Sequence, residues 1–166
     1  GLNRTATADH NGWYGQFKLE AGQHYSPHER LTLTPTVSAN YIHLREDGYT
    51  EQGAGALNLN VEGDSTNTLL LGLGGQMQYQ PDPAKPFFLK ARLGLTYDAS
   101  SEQESTQASF TGGGSSFTTQ GLDTSPWTLS GGIGVDMLSD NGLTLNLGYD
   151  VEARSDYLSQ IISANV

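Results

Sequence analysis

The sequence predicts an all-β protein, namely a transmembrane antiparallel up-and-down β-barrel in which about eight strands are recognisable. Three observations support this prediction: apolar and polar residues alternate, glycine is abundant and charge is sparse. Glycine accounts for 21 of the 166 residues, and 16% of the residues are charged. Ordinary soluble domains have about 7% glycine and about 25% charged residues, and helices tolerate glycine badly.

Alternation with a two-residue period runs through eight segments of the chain. In residues 69–79, 87–98, 127–137 and 143–152 the odd-numbered positions are mostly apolar, and the even-numbered positions are mostly polar or glycine. The other segments are residues 13–20, 31–41, 57–62 and 157–166. We expect these strands to reach the roughly 9 to 11 residues that a tilted strand needs to cross a bilayer.

Turn-forming residues separate the strands. They lie at residues 26–28, 46–48, 62–65, 81–83 and 139–142, where Asn141-Gly142 favours a type I′ hairpin turn. We expect residues 1–166 to form a single domain, with a lead-in at residues 1–11 and a long loop at residues 99–125. If the last strand ends in the periplasm, the turns at 81–86 and 139–142 are periplasmic and the long loop is extracellular.

One face of the predicted sheet carries charged residues within its strands. Such residues suit a watery or polar-packed lumen, whereas the apolar face suits lipid. The predicted lumen-lining polar residues are Lys18, Glu20, Lys90, Arg92, Asp136, Asp150, Glu152 and Arg154. They either line a conduit and contact a threaded segment or solutes, or they pair across strands and stabilise a filled barrel.

Aromatic residues gather toward the ends of the apolar face. Their amphipathic rings prefer the interface between membrane and water, so we expect them to form two girdles. The predicted membrane-interface aromatics are Trp13, Tyr25, Tyr41, Tyr79, Phe87, Tyr97, Trp127 and Tyr149.

The histidines and acidic residues do not form a recognisable metal or catalytic motif. His28-Glu29 begins like a zinc-binding His-Glu-x-x-His sequence but lacks the second histidine, and the spacing of His24 and His28 suits a metal only on a helix. Glu102 and Glu104 are expected to be solvated loop acids together with Asp98. We therefore expect no metal site.

Other chemical functions also lack support in the sequence. The glycine clusters at residues 72–75 and 131–134 lie inside strands, where glycine relieves crowding or eases curvature, and no helix follows them as in a dinucleotide-binding loop. No Gly-x-Ser-x-Gly or Ser-x-x-Lys sequence is present, so we expect no enzyme activity and no cofactor. A net charge of −10 argues against a nucleic-acid partner.

Several motifs resemble those of a known family. They are, in chain order, Leu33-Thr34-Pro35, Tyr41, Tyr49-Thr50-Glu51-Gln52-Gly53-Ala54, Leu57-Asn58-Leu59-Asn60-Val61, Leu71-Gly72-Leu73-Gly74, Pro86-Phe87-Phe88, Gly132-Ile133-Gly134 and Leu147-Gly148-Tyr149-Asp150. This pattern resembles the C-terminal translocator domain of autotransporters, the type V secretion proteins of Gram-negative bacteria. The resemblance spans nearly the whole chain.

The resemblance implies a barrel in the bacterial outer membrane that anchors its own N-terminal passenger domain and carries it to the cell surface. It also implies a linker helix in the lumen, and outer-membrane lipid and the barrel-assembly machinery as partners. The family barrel usually has about twelve strands, a number within the range of such barrels, and it usually ends on an aromatic residue. Because fewer strands are recognisable and the chain ends in Val166, we expect that an N-terminal pair of hairpins and the linker helix are missing from this chain.

Two alternatives remain at this point. A small outer-membrane barrel would adhere to or bind partners, or form a narrow pore, through its extracellular loops. A soluble β-barrel would instead enclose a small hydrophobic ligand with its leucine-rich face, and it would be stable without detergent.

Overall fold

The computed structural model describes residues 4–100, 105–121, 125–139, 142–155 and 157–166. The strands are β1 Gly12–Gly22, β2 Tyr25–His28, β3 Leu31–Glu46, β4 Tyr49–Thr50, β5 Leu59–Val61, β6 Asp64–Tyr79, β7 Phe87–Asp98, β8 Ser105–Phe110, β9 Phe117–Gln120, β10 Trp127–Leu138, β11 Thr144–Arg154 and β12 Tyr157–Asn165. The helical element is the 3₁₀ turn Gly55–Leu57. The strands form antiparallel sheets, which confirms the all-β prediction. Within the described ranges, no helix is long and apolar enough to span a membrane.

Eight strands form a large sheet with the hydrogen-bonded order β1-β3-β6-β7-β10-β11-β12, and β2 pairs with β3. Within the part of the chain that the structure describes, β1 and β12 do not pair with each other, so the sheet is open between them. Seven of these strands correspond to seven of the predicted segments. The predicted strand at 57–62 contains only the three-residue β5, and the predicted turn at 26–28 lies in β2.

The register of the large sheet keeps residues of the same parity on the same face. Leu95 of β7 lies opposite Leu73 of β6 and Leu129 of β10. Because successive side chains of a strand point to opposite faces, the even-numbered residues of these strands share the other face. The alternation in the sequence thus produces one apolar face and one polar face.

Short turns lie together at one edge of the large sheet. Residues 80–86 join β6 to β7, and residues 139–143 join β10 to β11. The end of β12 lies at the same edge, since Asn165 pairs with Asn146 near the start of β11. Gly142 has a φ of 82° and donates its N–H to the carbonyl of Ser139 at 2.9 Å, as suits a tight turn. Asn141 of the predicted type I′ turn lies outside the described residues.

The chain divides into two compact units. The second unit, within residues 18–40, 69–99 and 124–166, holds most of the large sheet. The first unit, within residues 1–17, 41–68 and 100–123, contains a four-stranded sheet of order β4-β5-β8-β9. The segment predicted as a long loop therefore supplies two of those strands, with the rings of Phe110 and Phe117 5.7 Å apart.

The predicted lead-in is attached to the first unit by backbone pairing. Thr7 forms a bridge with Gln52, and the N–H of Asp47 donates to the carbonyl of Asn11 at 2.9 Å. Arg4 also donates from Nη1 to the carbonyl of Ala54 at 3.0 Å. Backbone and side-chain bonds of this kind order a segment that has no strand pattern of its own.

Candidate functional site

The polar face of the large sheet carries most of its predicted charges on β7, β10 and β11. Gly132 of β10 lies between Arg92 of β7 and Asp150 of β11 in the register. Arg92 reaches across the glycine, with Nε donating to Asp150 Oδ1 at 2.6 Å and Nη2 donating to Oδ2 at 2.5 Å. This two-pronged arrangement is the geometry in which an arginine binds a carboxylate most strongly.

Gly132 is required for this contact because it has no side chain. A Cβ atom at position 132 would overlap Asp150 Oδ1 and would lie 2.8 Å from Arg92 Nε. Any other residue would therefore push the two charged groups apart. The cluster of glycines in β10 has a steric cause here, since it leaves room for an ion pair that spans three strands.

A second ion pair lies further along the same three strands. Lys90 Nζ contacts Asp136 Oδ2, and Asn146 Nδ2 donates to Asp136 Oδ1 at 3.1 Å. Gly134 of β10 lies opposite Lys90 on one side and opposite Gly148 on the other, so a small residue lies beside Lys90 where it reaches along β10 to Asp136. The structure thus brings four of the eight predicted lumen residues together as two cross-strand pairs.

The other four predicted lumen residues have varied surroundings. Lys18 and Glu20 of β1 form an exposed ion pair at 3.0 Å. Arg154 Nε donates to Thr128 Oγ1 at 2.6 Å, and Thr128 is buried. Glu152 lies opposite Ser130 of β10 and Ser159 of β12. Sequence alternation did not single out Thr128, because an isolated threonine on a polar face carries no special signal.

A polar cavity of about 520 Å³ lies against this face. Its charged lining consists of Glu20, Arg92, Asp150 and Glu152, while much of the remaining lining is glycine, serine and threonine from β3, β6, β7 and β10. Arg92 and Asp150 neutralise each other and Glu20 is paired with Lys18, so Glu152 supplies the remaining charge. Small and hydroxylated side chains leave the cavity wide and wettable, which suits passage of a polymer better than tight binding of one compound.

The opposite face of the same strands exposes large apolar side chains. Leu73, Leu93 and Ile133 are more than 60% exposed, and Ile162 of β12 is 84% exposed. Among the described residues no large side chain is fully buried. The leucine-rich face therefore does not enclose a cavity, which was the requirement of the soluble ligand-binding alternative.

Five of the predicted interface aromatics lie near the ends of strands in the second unit. Tyr79, Phe87 and Tyr25 lie close to the edge that carries the short turns. Tyr97 and Trp127 lie at the opposite ends of β7 and β10, with ring centroids 4.6 Å apart. This placement at two levels is the arrangement that girdles require.

The other three predicted aromatics have different positions. Tyr149 lies in the middle of β11 opposite Ile133, and its hydroxyl is 3.0 Å from Gln160 Oε1. In the first unit, Trp13 packs on the ring of His43 at 4.9 Å, and the Tyr41 hydroxyl donates to Asn67 Oδ1 at 2.7 Å. A girdle role for all eight residues stays a prediction.

His43 and Asn67 form a small polar network that was not predicted from the sequence. His43 Nδ1 lies 2.8 Å from the same Asn67 Oδ1 that accepts the Tyr41 hydroxyl. The sequence pattern that could have indicated this network is the two-residue spacing of Tyr41 and His43, which places both side chains on one face of β3. The network orients the ring of His43 next to Trp13, which is a structural rather than a chemical role.

The histidines that resemble a zinc motif bind neighbouring groups of the hairpin. His24 Nδ1 lies 2.9 Å from Thr34 Oγ1, and His28 Nδ1 accepts the N–H of Arg30 at 3.2 Å. Glu102 and Glu104 lie outside the described residues. The described ranges contain no group of three or more His, Asp or Glu residues placed to hold a metal ion.

Comparison with known proteins agrees with this two-faced sheet. The model of the autotransporter beta-domain family matches residues 1–150 of the chain. The chain belongs to this family. Its members are outer-membrane β-barrels of Gram-negative bacteria that act as translocators.

A relative supports the same assignment. The chain is 28% identical over 163 residues to a protein of Serratia marcescens named "Extracellular serine protease". The alignment covers 96% of this chain but only 15% of that protein. The protease activity in its name belongs to that protein as a whole, and the family matched here is that of the translocator.

Proposed function

We propose that this domain is the membrane anchor and conduit through which a passenger segment of the same polypeptide reaches the cell surface. The observation that carries the proposal is the polar face of β7, β10 and β11, where the ion pair of Arg92 and Asp150 and several glycines line a cavity of about 520 Å³. The apolar face behind it provides the contact with outer-membrane lipid.

The charge pairing on the polar face suits transport of an extended chain. Arg92 and Lys90 are held by Asp150 and Asp136, so a passing segment meets few unpaired charges. A segment that binds weakly at each step slides more easily than one that binds tightly at one place. In this view the ion pairs stabilise the wall of the conduit and also keep its surface close to neutral.

The domain performs no covalent chemistry in this proposal. Its partners are the passenger and linker segment, the surrounding lipid and the barrel-assembly machinery. Strands β1 and β12 support the last of these, since each is an end of the described hydrogen-bonded order. Unpaired edge strands recruit further strands, so an assembly factor has a natural contact there.

Surface display of an attached reporter tests the proposal. A reporter domain is fused before residue 1, behind a signal peptide, and external protease is added to intact cells. We expect the reporter to be cleaved. In the variant Ser130→Trp, which places a large ring on the cavity side, we expect export to fall, while Leu129→Trp on the apolar face serves as the matched control.

Folding of both variants is checked by the mobility difference between unheated and boiled samples on a gel. If the folded domain resides in the outer membrane while the reporter stays protected, the conduit proposal is wrong. The folded β4-β5-β8-β9 sheet of the first unit would then favour a barrel that binds partners through this region.

A further inference from the structure

The apolar face of the large sheet contains a groove of about 500 Å³ in the second unit. It lies where β2, β3, β6 and β7 contribute side chains of very different size. Small side chains, Pro35, Gly75 and Ala91, lie among the larger Tyr25, Met77 and Leu93. The volume falls within the range of about 300–1,000 Å³ that is typical of small-molecule sites.

Gly75 keeps the groove open. A Cβ atom built at this position meets no other atom within 4 Å, so the space above the glycine is empty of protein. Leu93 lies directly opposite Gly75 on β7 and is 65% exposed, while Met77 lies opposite Ala91. Large and small residues thus alternate across the two strands and form the sides and base of a channel.

The chemistry of the groove restricts its occupant to an apolar chain. Leu33 and Pro35 of β3 face the same space as Met77 and Leu93. Thr34, Gln76 and Arg92 also line the groove, but they have the parity of the polar face, and the Arg92 guanidinium is bound to Asp150 there. The surface that the groove offers to an occupant is therefore almost wholly apolar. The inference rests on the proposed function, in which this face lies against membrane lipid. An acyl chain is the apolar group that is present there at high concentration.

The depth of the groove matches one leaflet. Leu33 is two residues from the start of β3, Met77 is two residues from the end of β6, and Ala91 is four residues from the start of β7. At about 3.3 Å per residue these positions lie roughly 7 to 13 Å along the strands from the edge of the sheet, and Leu93 lies about 20 Å from it. A strand tilt of about 40° reduces these depths to roughly 5 to 15 Å, which matches the thickness of about 15 Å of half a hydrocarbon core.

A positive charge lies at the same edge. Arg30, in the turn between β2 and β3, donates from Nη1 to the carbonyl of Pro81 at 3.2 Å. In the described part of the chain no carboxylate lies within 4.0 Å of its guanidinium, whereas Lys85 in the neighbouring turn pairs with Asp82. The remaining N–H groups of Arg30 suit a phosphate.

We propose that the groove and Arg30 together form a site for a phospholipid of the periplasmic leaflet. One acyl chain occupies the groove beside Gly75, and Arg30 binds the phosphate. The assignment to the periplasmic leaflet follows from placing the turns at residues 80–86 on that side. A lipid bound in this way holds β3, β6 and β7 at a fixed depth in the membrane, whereas the lipid around the rest of the barrel exchanges freely.

Photolabelling with lipid probes tests this site. The full chain is folded into vesicles of phosphatidylethanolamine and phosphatidylglycerol that contain a phospholipid with a diazirine in its acyl chain. Labelled residues are mapped by mass spectrometry. We expect labelling to concentrate on Met77, Leu93 and Tyr25 rather than on Leu147, which is exposed elsewhere on the same face.

Filling the groove provides the matched comparison. Gly75→Leu is expected to lower labelling of Met77 about tenfold, the loss expected when roughly two methylene groups are no longer buried. Gly131→Leu is the control, because Gly131 lies on the same face and its Cβ would meet no atom closer than 3.8 Å. If Gly75→Leu does not fold, Ala91→Leu fills the groove from the neighbouring strand.

The headgroup is tested with two probes. Arg30→Gln is expected to lower labelling by the phospholipid probe but to leave labelling by a diacylglycerol probe, which has no phosphate, at its wild-type value. Equal effects on both probes, or no effect on either, would overturn the phosphate contact. Even labelling of the whole apolar face, unchanged in Gly75→Leu, would show bulk lipid and overturn the site.

Discussion

The two faces of the large sheet are formed by the same strands, but their side chains interact with different partners. On the polar face, charged groups are paired within the protein, as in the contact between Arg92 and Asp150. On the apolar face, Leu93 and Ile133 are more than 60% exposed and have no protein layer over them. The polar face is stabilised by contacts between its own residues, whereas the apolar face requires surroundings of low polarity.

The difference shows why mean hydropathy is a poor guide to this molecule. The mean over the whole chain is −0.43, although one face of the large sheet is strongly apolar. Because the two faces depend on different interactions, matched substitutions on the two faces of β10 should change the free energy of unfolding in lipid vesicles or detergent by different amounts. Removal of single charges from the ion pairs of the polar face should change it less.

The largest effect is expected from a charge on the apolar face. Ile133→Lys places an ammonium group near the middle of β10, and such a substitution at the bilayer midplane costs about 2–4 kcal/mol. Ser130→Lys on the polar face, near Glu152, should cost less than about 1 kcal/mol because the ammonium group stays hydrated. Urea titration of the folded protein in vesicles measures both values. Equal losses would contradict the assignment of the faces.

The next largest effect is expected at Gly132. In Gly132→Ala the new methyl group overlaps the carboxylate of Asp150 and crowds Arg92, and overpacking of this kind costs about 1–3 kcal/mol. Gly131→Ala is the control, since its methyl group lies on the other face and would meet no atom closer than 3.8 Å, which is an ordinary van der Waals contact. The same urea titration applies. A loss in the control as large as that in Gly132→Ala would mean that strand propensity, rather than the ion pair, requires glycine.

A smaller effect is expected when the ion pair loses one charge. Asp150→Asn leaves Arg92 without its carboxylate, but both side chains are partly exposed, so water replaces much of the interaction. We expect a loss of about 1 kcal/mol and a coupling of similar size in a double-mutant cycle with Arg92→Gln. Additive single and double variants would show that the contact does not contribute to stability.

The smallest effect is expected at the ion pair between Lys18 and Glu20, where about half of each side chain is exposed. Lys18→Gln should change the free energy of unfolding by about 0.5 kcal/mol or less, and the difference should vanish at roughly 1 M salt. Titrations at low and high salt measure this difference. A larger effect that survives in high salt would indicate that Lys18 has a structural contact beyond Glu20.

Much of the fold was predictable because a strand has a simple two-residue period. The segment 87–98 was predicted with the bounds that β7 has, and Gly142 was recognised as a turn residue. The hairpin of β8 and β9 was not predicted, because its threonine- and serine-rich strands lack alternation. The pairing of β8 with β5 depends on contacts between residues far apart in the sequence, such as Ala108 and Val61.

The sequence predicted which residues lie on the polar face, but it did not predict which of them contact each other. Parity placed Arg92, Asp150 and Gly132 on one face, yet only the register of three strands shows that the charges meet across the glycine. The burial of Thr128 beneath Arg154 also depends on the register between β10 and β11. Sequence periodicity defines faces, whereas pairs across strands require the alignment of the strands.

Accessibility of single cysteines along β10 tests the central claim most directly. The chain has no native cysteine, so a nitroxide label can be placed at each position from 128 to 135 of the domain folded in vesicles. We predict that odd-numbered labels are relaxed by oxygen dissolved in the lipid and that even-numbered labels are relaxed by a water-soluble nickel complex. Labels without alternation, or with the opposite parity, would contradict a sheet that separates lipid from a polar conduit.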